Sequence, residues 1–108
     1  MGKKSQQKGR SGEIELCSRL RDYGFDVRPG KAVSYGSTPD LVGLASVHVE
    51  VKRTERLNLY SAMEQSQRDS IRFKDGLPTV FHRKNRRDWL VTMTLDDWIK
   101  IYNKSILK

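Results

Sequence analysis

One cysteine, Cys17, and two histidines, His48 and His82, occur in the 108 residues of this chain. An intrachain disulfide is therefore excluded, and so is a zinc site built from cysteines. Two histidines leave little material for a histidine-based metal centre. The lone thiol fits a reducing, intracellular compartment. Long apolar runs are missing as well, because charges, Gly or Pro interrupt every stretch before it approaches membrane-spanning length. The basic N-terminus lacks the apolar segment of a secretory signal. A cytoplasmic protein with no membrane partner is expected. There is no internal repeat, and the length suits a single domain with one modest core.

Charge of one sign is abundant. Lys and Arg total 21 against 13 Asp and Glu, for a net charge of +8 and a pI near 9.9. The bases are spread along the chain: Lys3, Lys4, Lys8 and Arg10, then Lys52, Arg53 and Arg56, then Lys74, then the cluster Arg83, Lys84, Arg86 and Arg87. Such an excess favours a polyanionic partner, since each cation set on a phosphate releases condensed counterions. A basic protein without a nucleic-acid role satisfies the same numbers, so charge alone says nothing about chemistry.

Residues 1–9, rich in Gly, Lys, Ser and Gln, read as a flexible basic arm, and 10–108 as one domain. A helical period starts at Ser11, with Leu16, Cys17 and Leu20 on one stripe and Gly24 as the stop. Phe25 to Arg28 fits a short strand, followed by a turn-rich stretch from Pro29 to Pro39. Leu41 to Leu44 reads as a buried strand. Val47 to Arg53 alternates, with Val47, Val49 and Val51 on one face and His48, Glu50 and Lys52 on the other. Leu59 to Phe73 suggests a helix. Thr79–Arg83 and Trp89–Met93 suggest a hairpin around Lys84–Arg87, and Leu95 to about Asn103 a last helix capped by Thr94. Trp89 and Trp98 fall on apolar periods and are expected in the core, as is Cys17. The order α-β-β-β-α-β-β-α implies an α/β domain with a central mixed sheet flanked by helices.

Pro39-Asp40 and, ten positions on, Glu50-Val51-Lys52 carry the chemistry. A two-residue turn at Ala45-Ser46 would leave Asp40 opposite Val51, on the wrong face, and Ala-Ser lacks the residues such turns need. A three-residue loop, Leu44–Ser46, pairs Gly43 with Val47 and so Asp40 with Glu50. That register sets both carboxylates and Lys52 on one face. Two adjacent carboxylates repel unless a cation lies between them, and Mg²⁺ suits an all-oxygen set. Water acidified by the metal attacks phosphorus, while Lys52 activates that water or neutralises developing charge. Glu13, at the N-terminal end of the Leu16 stripe, adds a third carboxylate; Glu15 falls off the stripe and reads as a surface residue. Taken singly, a Pro-Asp turn or a Glu-x-Lys strand is commonplace. Together, at hairpin spacing in a basic chain, they point to catalysis.

At these residues the chain resembles the PD-(D/E)xK nuclease superfamily, and within it the archaeal-type Holliday junction resolvases and related phage-borne endonucleases. The likeness runs from Lys8-Gly9 and Glu13 through Ser18–Asp22, Gly24-Phe25, Tyr35-Gly36-Ser37 and Pro39-Asp40 to Glu50-Val51-Lys52. It implies a restriction-endonuclease-like core and a homodimer that binds branched DNA, with Mg²⁺ (Mn²⁺ able to substitute) in each subunit. Glu13, Asp40, Glu50 and the Val51 carbonyl would hold the metal, and Lys52 would assist the water. Ser37 matches a loop serine near the scissile phosphate, in a loop shorter here than in the archaeal enzymes. Gln65 would orient a water or phosphate, or else is simply a polar residue on a helix surface.

Arg53, Arg83, Lys84, Arg86 and Arg87, with Lys8 and Arg10, are candidate DNA contacts; for the 83–87 cluster a solvated hairpin tip is an equal alternative. His48 shares the Glu50 face and is placed to touch DNA or a water, and His82 to pack or meet a phosphate. The leading expectation is a Holliday junction resolvase that is phage-encoded or otherwise cytoplasmic. The alternatives are an endonuclease for flaps, nicks or duplex DNA, and a DNA-binding protein with a vestigial site.

Overall fold

The computed structural model describes the backbone of residues 2–30 and 38–105, and side chains from Ser11 onward within those ranges. Ser37 and the side chains of Lys8 and Arg10 lie outside the described residues. Helix α1 spans Gly2–Asp22. It begins well before Ser11, so the segment expected as a flexible arm is continuous with the helix; its Lys and Gln residues are good helix formers. Gly24, at φ +94°, ends the helix with its N–H on the Arg21 carbonyl at 2.9 Å, and the Phe25 N–H reaches back to Leu20 at 3.3 Å.

Five strands form one sheet in the order β1-β2-β3-β4-β5. They are β1 (Arg28–Pro29), β2 (Leu41–Val42), β3 (Val47–Arg53), β4 (Leu77–Arg83) and β5 (Leu90–Thr92). Strands β3 and β4 run parallel and the other neighbours antiparallel, a mixed sheet as expected. Strands β1, β2 and β5 are shorter than the sequence suggests. Phe25 stays out of β1 and is 48% exposed, while Val27 enters the core without pairing. Pro29 sits on the sheet edge, where a missing N–H costs nothing. Gly43, at φ +112°, stops β2, and a Cβ there would lie 2.4 Å from the Asp26 carbonyl oxygen.

The β2–β3 hairpin decides the site. Leu41 faces Val49, which by continuation sets Asp40 opposite Glu50 and Gly43 opposite Val47. The loop is Leu44–Ser46, with Ser46 in the left-handed region at φ 69° and the Val47 N–H on the Leu44 carbonyl at 3.4 Å. That is the geometry of a three-residue hairpin.

Helix α2 (Leu59–Phe73) crosses from β3 to β4. Asn58 caps its start by accepting from the Ser61 N–H, and Lys74 closes it in the left-handed conformation. The two helices cover opposite faces of the sheet. Leu16 and Cys17 from α1 pack with Val27, Leu41, Val49, Val51 and Phe81; Ala62 and Met63 from α2 pack with Val80. Gly12 lets α1 approach β3, since a Cβ there would fall 2.6 Å from Arg53 Cβ. Helix α3 (Leu95–Ser105) is capped by Thr94 as expected but buries no residue. Trp98 is therefore not a core residue: it is 48% exposed and packs on Tyr102, because no described element covers its face of α3. Trp89 does pack against the core.

Candidate active site

Alternation along β3 sends His48, Glu50 and Lys52 toward α2. Glu50 is 4% exposed, an unusual depth for a carboxylate. Strand β2 ends beside it, leaving the Val51 N–H without a strand partner. Asp40 Oδ2 accepts that N–H at 2.8 Å, which fixes the Asp40 carboxyl against Glu50. A strand residue directs its N–H and C=O to the same side, so the Val51 carbonyl faces this edge too. Lys52 Nζ lies 3.7 Å from Glu50 Oε2 and donates to Gln65 Oε1 at 3.0 Å. Gln65 is half-buried and turned to the site, not a free surface amide. Glu13 is half-buried on α1, within electrostatic reach of Asp40.

Burial, and then the charge of Glu50, push the Asp40 carboxyl up to about 7, against the lowering effect of the Val51 N–H. Burial acts to raise Glu50 as well, but His48, the Asp40 carboxyl and Lys52 outweigh it and hold Glu50 below its usual range. The two carboxyls thus titrate as a coupled pair, with Asp40 holding its proton longer than an isolated carboxyl would. A bound cation would replace that proton.

His48 is 1% exposed, deeper than a residue able to reach DNA. Its Nδ1 lies 2.9 Å from both oxygens of Asp75, and its ring stacks on Phe73 with centroids 6.2 Å apart. Among the described residues its Nε2 has no hydrogen-bond partner, and it lies 3.9 Å from Glu50 Oε1. Asp69 of α2 comes in over the same face: ligand atoms of His48, Glu50 and Asp69 all lie within 4.8 Å of one another.

The basic candidates divide. Arg53 Nε is 3.2 Å from Glu15 Oε2, and Arg83 pairs with the other Glu15 oxygen. Glu15 is consequently not a simple surface residue but a half-buried clasp joining α1 to the ends of β3 and β4. Lys84, Arg86 and Arg87 are exposed at the β4–β5 tip. Lys84 and Arg87, with Arg56, line an open groove between that tip and residues 55–59, at the carboxyl ends of the parallel strands. His82 Nε2 meets Thr92 Oγ1 at 2.8 Å, a cross-strand contact with β5.

No family model and no curated protein matches the sequence. A solved structure does: Archaeoglobus fulgidus Hjc, a Holliday junction resolvase from an archaeal hyperthermophile, at 26% identity and a TM-score of 0.53, over 75% of this chain and 72% of that one. The chain is similar to a resolvase. With this neighbour, the mixed sheet and flanking helices establish the resolvase-like α/β fold expected from the sequence. Among the described residues no helix is long and apolar enough to cross a membrane.

Sequence reasoning passed over Asp69 and Asp75. The alternation that put His48 beside Glu50 was a usable signal for a buried partner. Which acid met the ring depended on how α2 lies across β3.

Proposed function

We propose that this chain is a metal-dependent, structure-selective DNA endonuclease acting on four-way junctions as a homodimer. The register that sets Asp40 beside Glu50, with Asp40 fixed by the Val51 N–H and Lys52 on the same face, carries the reading. The donor set fits a hard dication: two carboxylates buried side by side, a third from Glu13, and the Val51 carbonyl at the sheet edge. When bound, Mg²⁺ (or Mn²⁺) supplies an acidified water and neutralises phosphate charge. Lys52, held by Gln65 and Glu50, directs a positive charge at the point where negative charge grows on the phosphate. Lys84, Arg86, Arg87 and Arg56, together with Lys8, Arg10 and Ser37, would grip the DNA backbone, and Arg53 and Arg83 would do so only beyond their pairing with Glu15. The likeness to a resolvase supports branched DNA as substrate. The uncovered apolar face of α3, with Leu95, Trp98 and Ile99 exposed, supports a second copy. Action in the cytoplasm, and a phage origin, belong to the same reading.

The test is cleavage of a labelled four-way junction, a flap and a plain duplex with Mg²⁺, beside Asp40→Asn and Lys52→Met. Selective junction cleavage by the wild type, absent in both variants, is expected. Equal cutting of all three substrates would turn the reading to a general flap, nick or duplex endonuclease. Tight DNA binding with no cutting would leave a binding protein with a vestigial site.

A further inference from the structure

We propose that His48 Nε2, Glu50 and Asp69 form a second cation site, suited to a nitrogen-accepting transition ion of the zinc class and separate from the Asp40 side of Glu50. The ring fixes the donor. Both oxygens of Asp75 lie 2.9 Å from Nδ1, and a carboxylate only accepts, so Nδ1 carries a hydrogen and Nε2 is the nitrogen left to face Glu50. Nε2 is buried with the ring at 1% exposure and has no hydrogen-bond partner among the described residues. A buried ring nitrogen without a hydrogen bond is costly, and an ion there, displacing any Nε2 proton, would give it a partner.

What stands around it is a ligand set. Glu50 Oε1 is 3.9 Å away, and Asp69 completes a group within 4.8 Å. Small carboxylate rotations bring these atoms to an ion about 2.1 Å from each. One imidazole and two carboxylates favour Zn²⁺ over Mg²⁺, which prefers oxygen and keeps its waters. Asp75 supplies the carboxylate–histidine arrangement that orients metal-binding imidazoles. Glu50 then faces two ways, Oε2 toward Lys52 and Oε1 toward His48. The second site shares that carboxylate with the proposed nuclease centre but needs neither Asp40 nor DNA.

The experiment is a calorimetric titration of the whole chain with Zn²⁺ in saturating Mg²⁺, with ¹⁵N spectra of the two histidines as a second readout. One Zn²⁺ is expected to bind the wild type, Asp40→Asn and His82→Gln alike, and to shift the His48 Nε2 resonance. Asp75→Asn should weaken binding roughly 10- to 100-fold, Asp69→Asn at least as much, and His48→Gln should abolish it. Asp69 is half-buried on α2, so its amide variant decides the matter if His48→Gln does not fold. Absence of Zn²⁺ binding in excess Mg²⁺, binding undiminished in Asp69→Asn, or binding lost in His82→Gln overturns the proposal. Failure of DNA cleavage with Zn²⁺ binding intact would instead remove the nuclease reading alone.

Discussion

Val47, Val49 and Val51 leave β3 toward α1, while His48, Glu50 and Lys52 leave it toward α2, and both faces are covered. On the α1 side, packing needs only shape and apolar area, and burying each valine fully contributes about 1.5–3 kcal/mol. On the α2 side every buried group demands a partner. Lys52 finds Gln65 and Glu50, His48 finds Asp75, and Asp40 finds the Val51 N–H. Even so, two mismatches remain: a carboxyl pair set close together, and an imidazole nitrogen without a hydrogen-bond partner among the described residues. One strand thus separates stability from chemistry by parity of residue number. Among the described residues of β3, the odd-numbered side leaves Arg53 Nη1 without a partner, while the even-numbered side carries both the carboxyl pair and the imidazole, as expected where a fold gives up stability for a site.

Substitutions on the two faces should therefore behave oppositely. Lys52→Met is expected to lower junction cleavage by at least about 10³-fold, with the melting temperature little changed. Asp40→Asn should do the same to cleavage while raising apoprotein stability, because it removes the carboxyl repulsion yet still accepts the Val51 N–H. Val49→Ala reverses the pattern: a loss of about 2–3 kcal/mol in chemical denaturation, with the cleavage rate of the folded fraction retained. If Val49→Ala and Lys52→Met moved stability and rate together, the division between faces would be wrong.

Much of this contrast was legible in the sequence, because it depends on local rules. Strand parity separates Val49 from Glu50, and the unsuitability of Ala45-Ser46 for a two-residue turn selects the register that brings Asp40 to Glu50. Helix α2 was bounded at Leu59 and Phe73 by composition and the Asp75-Gly76 break. What remained hidden depends on contacts distant in sequence. Glu15 looked like surface until α1 met the ends of β3 and β4. His48 looked accessible until α2 and Asp75 closed over it. Trp98 looked buried because periodicity reports an apolar face, not whether anything covers it.

A pH series probes the polar face without mutation. Asp40 is raised above its ordinary 3.8 to about 7, and His48 is raised above 6.5, where burial alone would lower it, by Glu50 and Asp75. Both hold protons longer in the folded chain, so metal-free stability should fall as pH climbs from about 5 to above 7. Glu15 and Glu50, held below 4.5, are already ionised there and add no slope. Saturating Mg²⁺ favours the deprotonated pair and should flatten or reverse the trend. Cleavage should fall about tenfold per pH unit below about 7, as a single required deprotonation dictates. A stability slope identical with and without Mg²⁺ would show that Asp40 does not hold the ion.

Gln65 offers the mildest test. Its carbonyl oxygen is 3.0 Å from Lys52 Nζ, and Glu50 holds the same ammonium from 3.7 Å. Removing one of two tethers leaves the charge in place but widens its range of positions. Gln65→Ala should therefore slow single-turnover cleavage only about fivefold, the worth of one net hydrogen bond of about 1 kcal/mol, with DNA affinity unchanged. Gln65→Glu should restore the tether and much of the rate. If Gln65→Ala instead weakened DNA binding and left the single-turnover rate untouched, Gln65 would be a backbone contact, and Lys52 would owe its position to Glu50 alone.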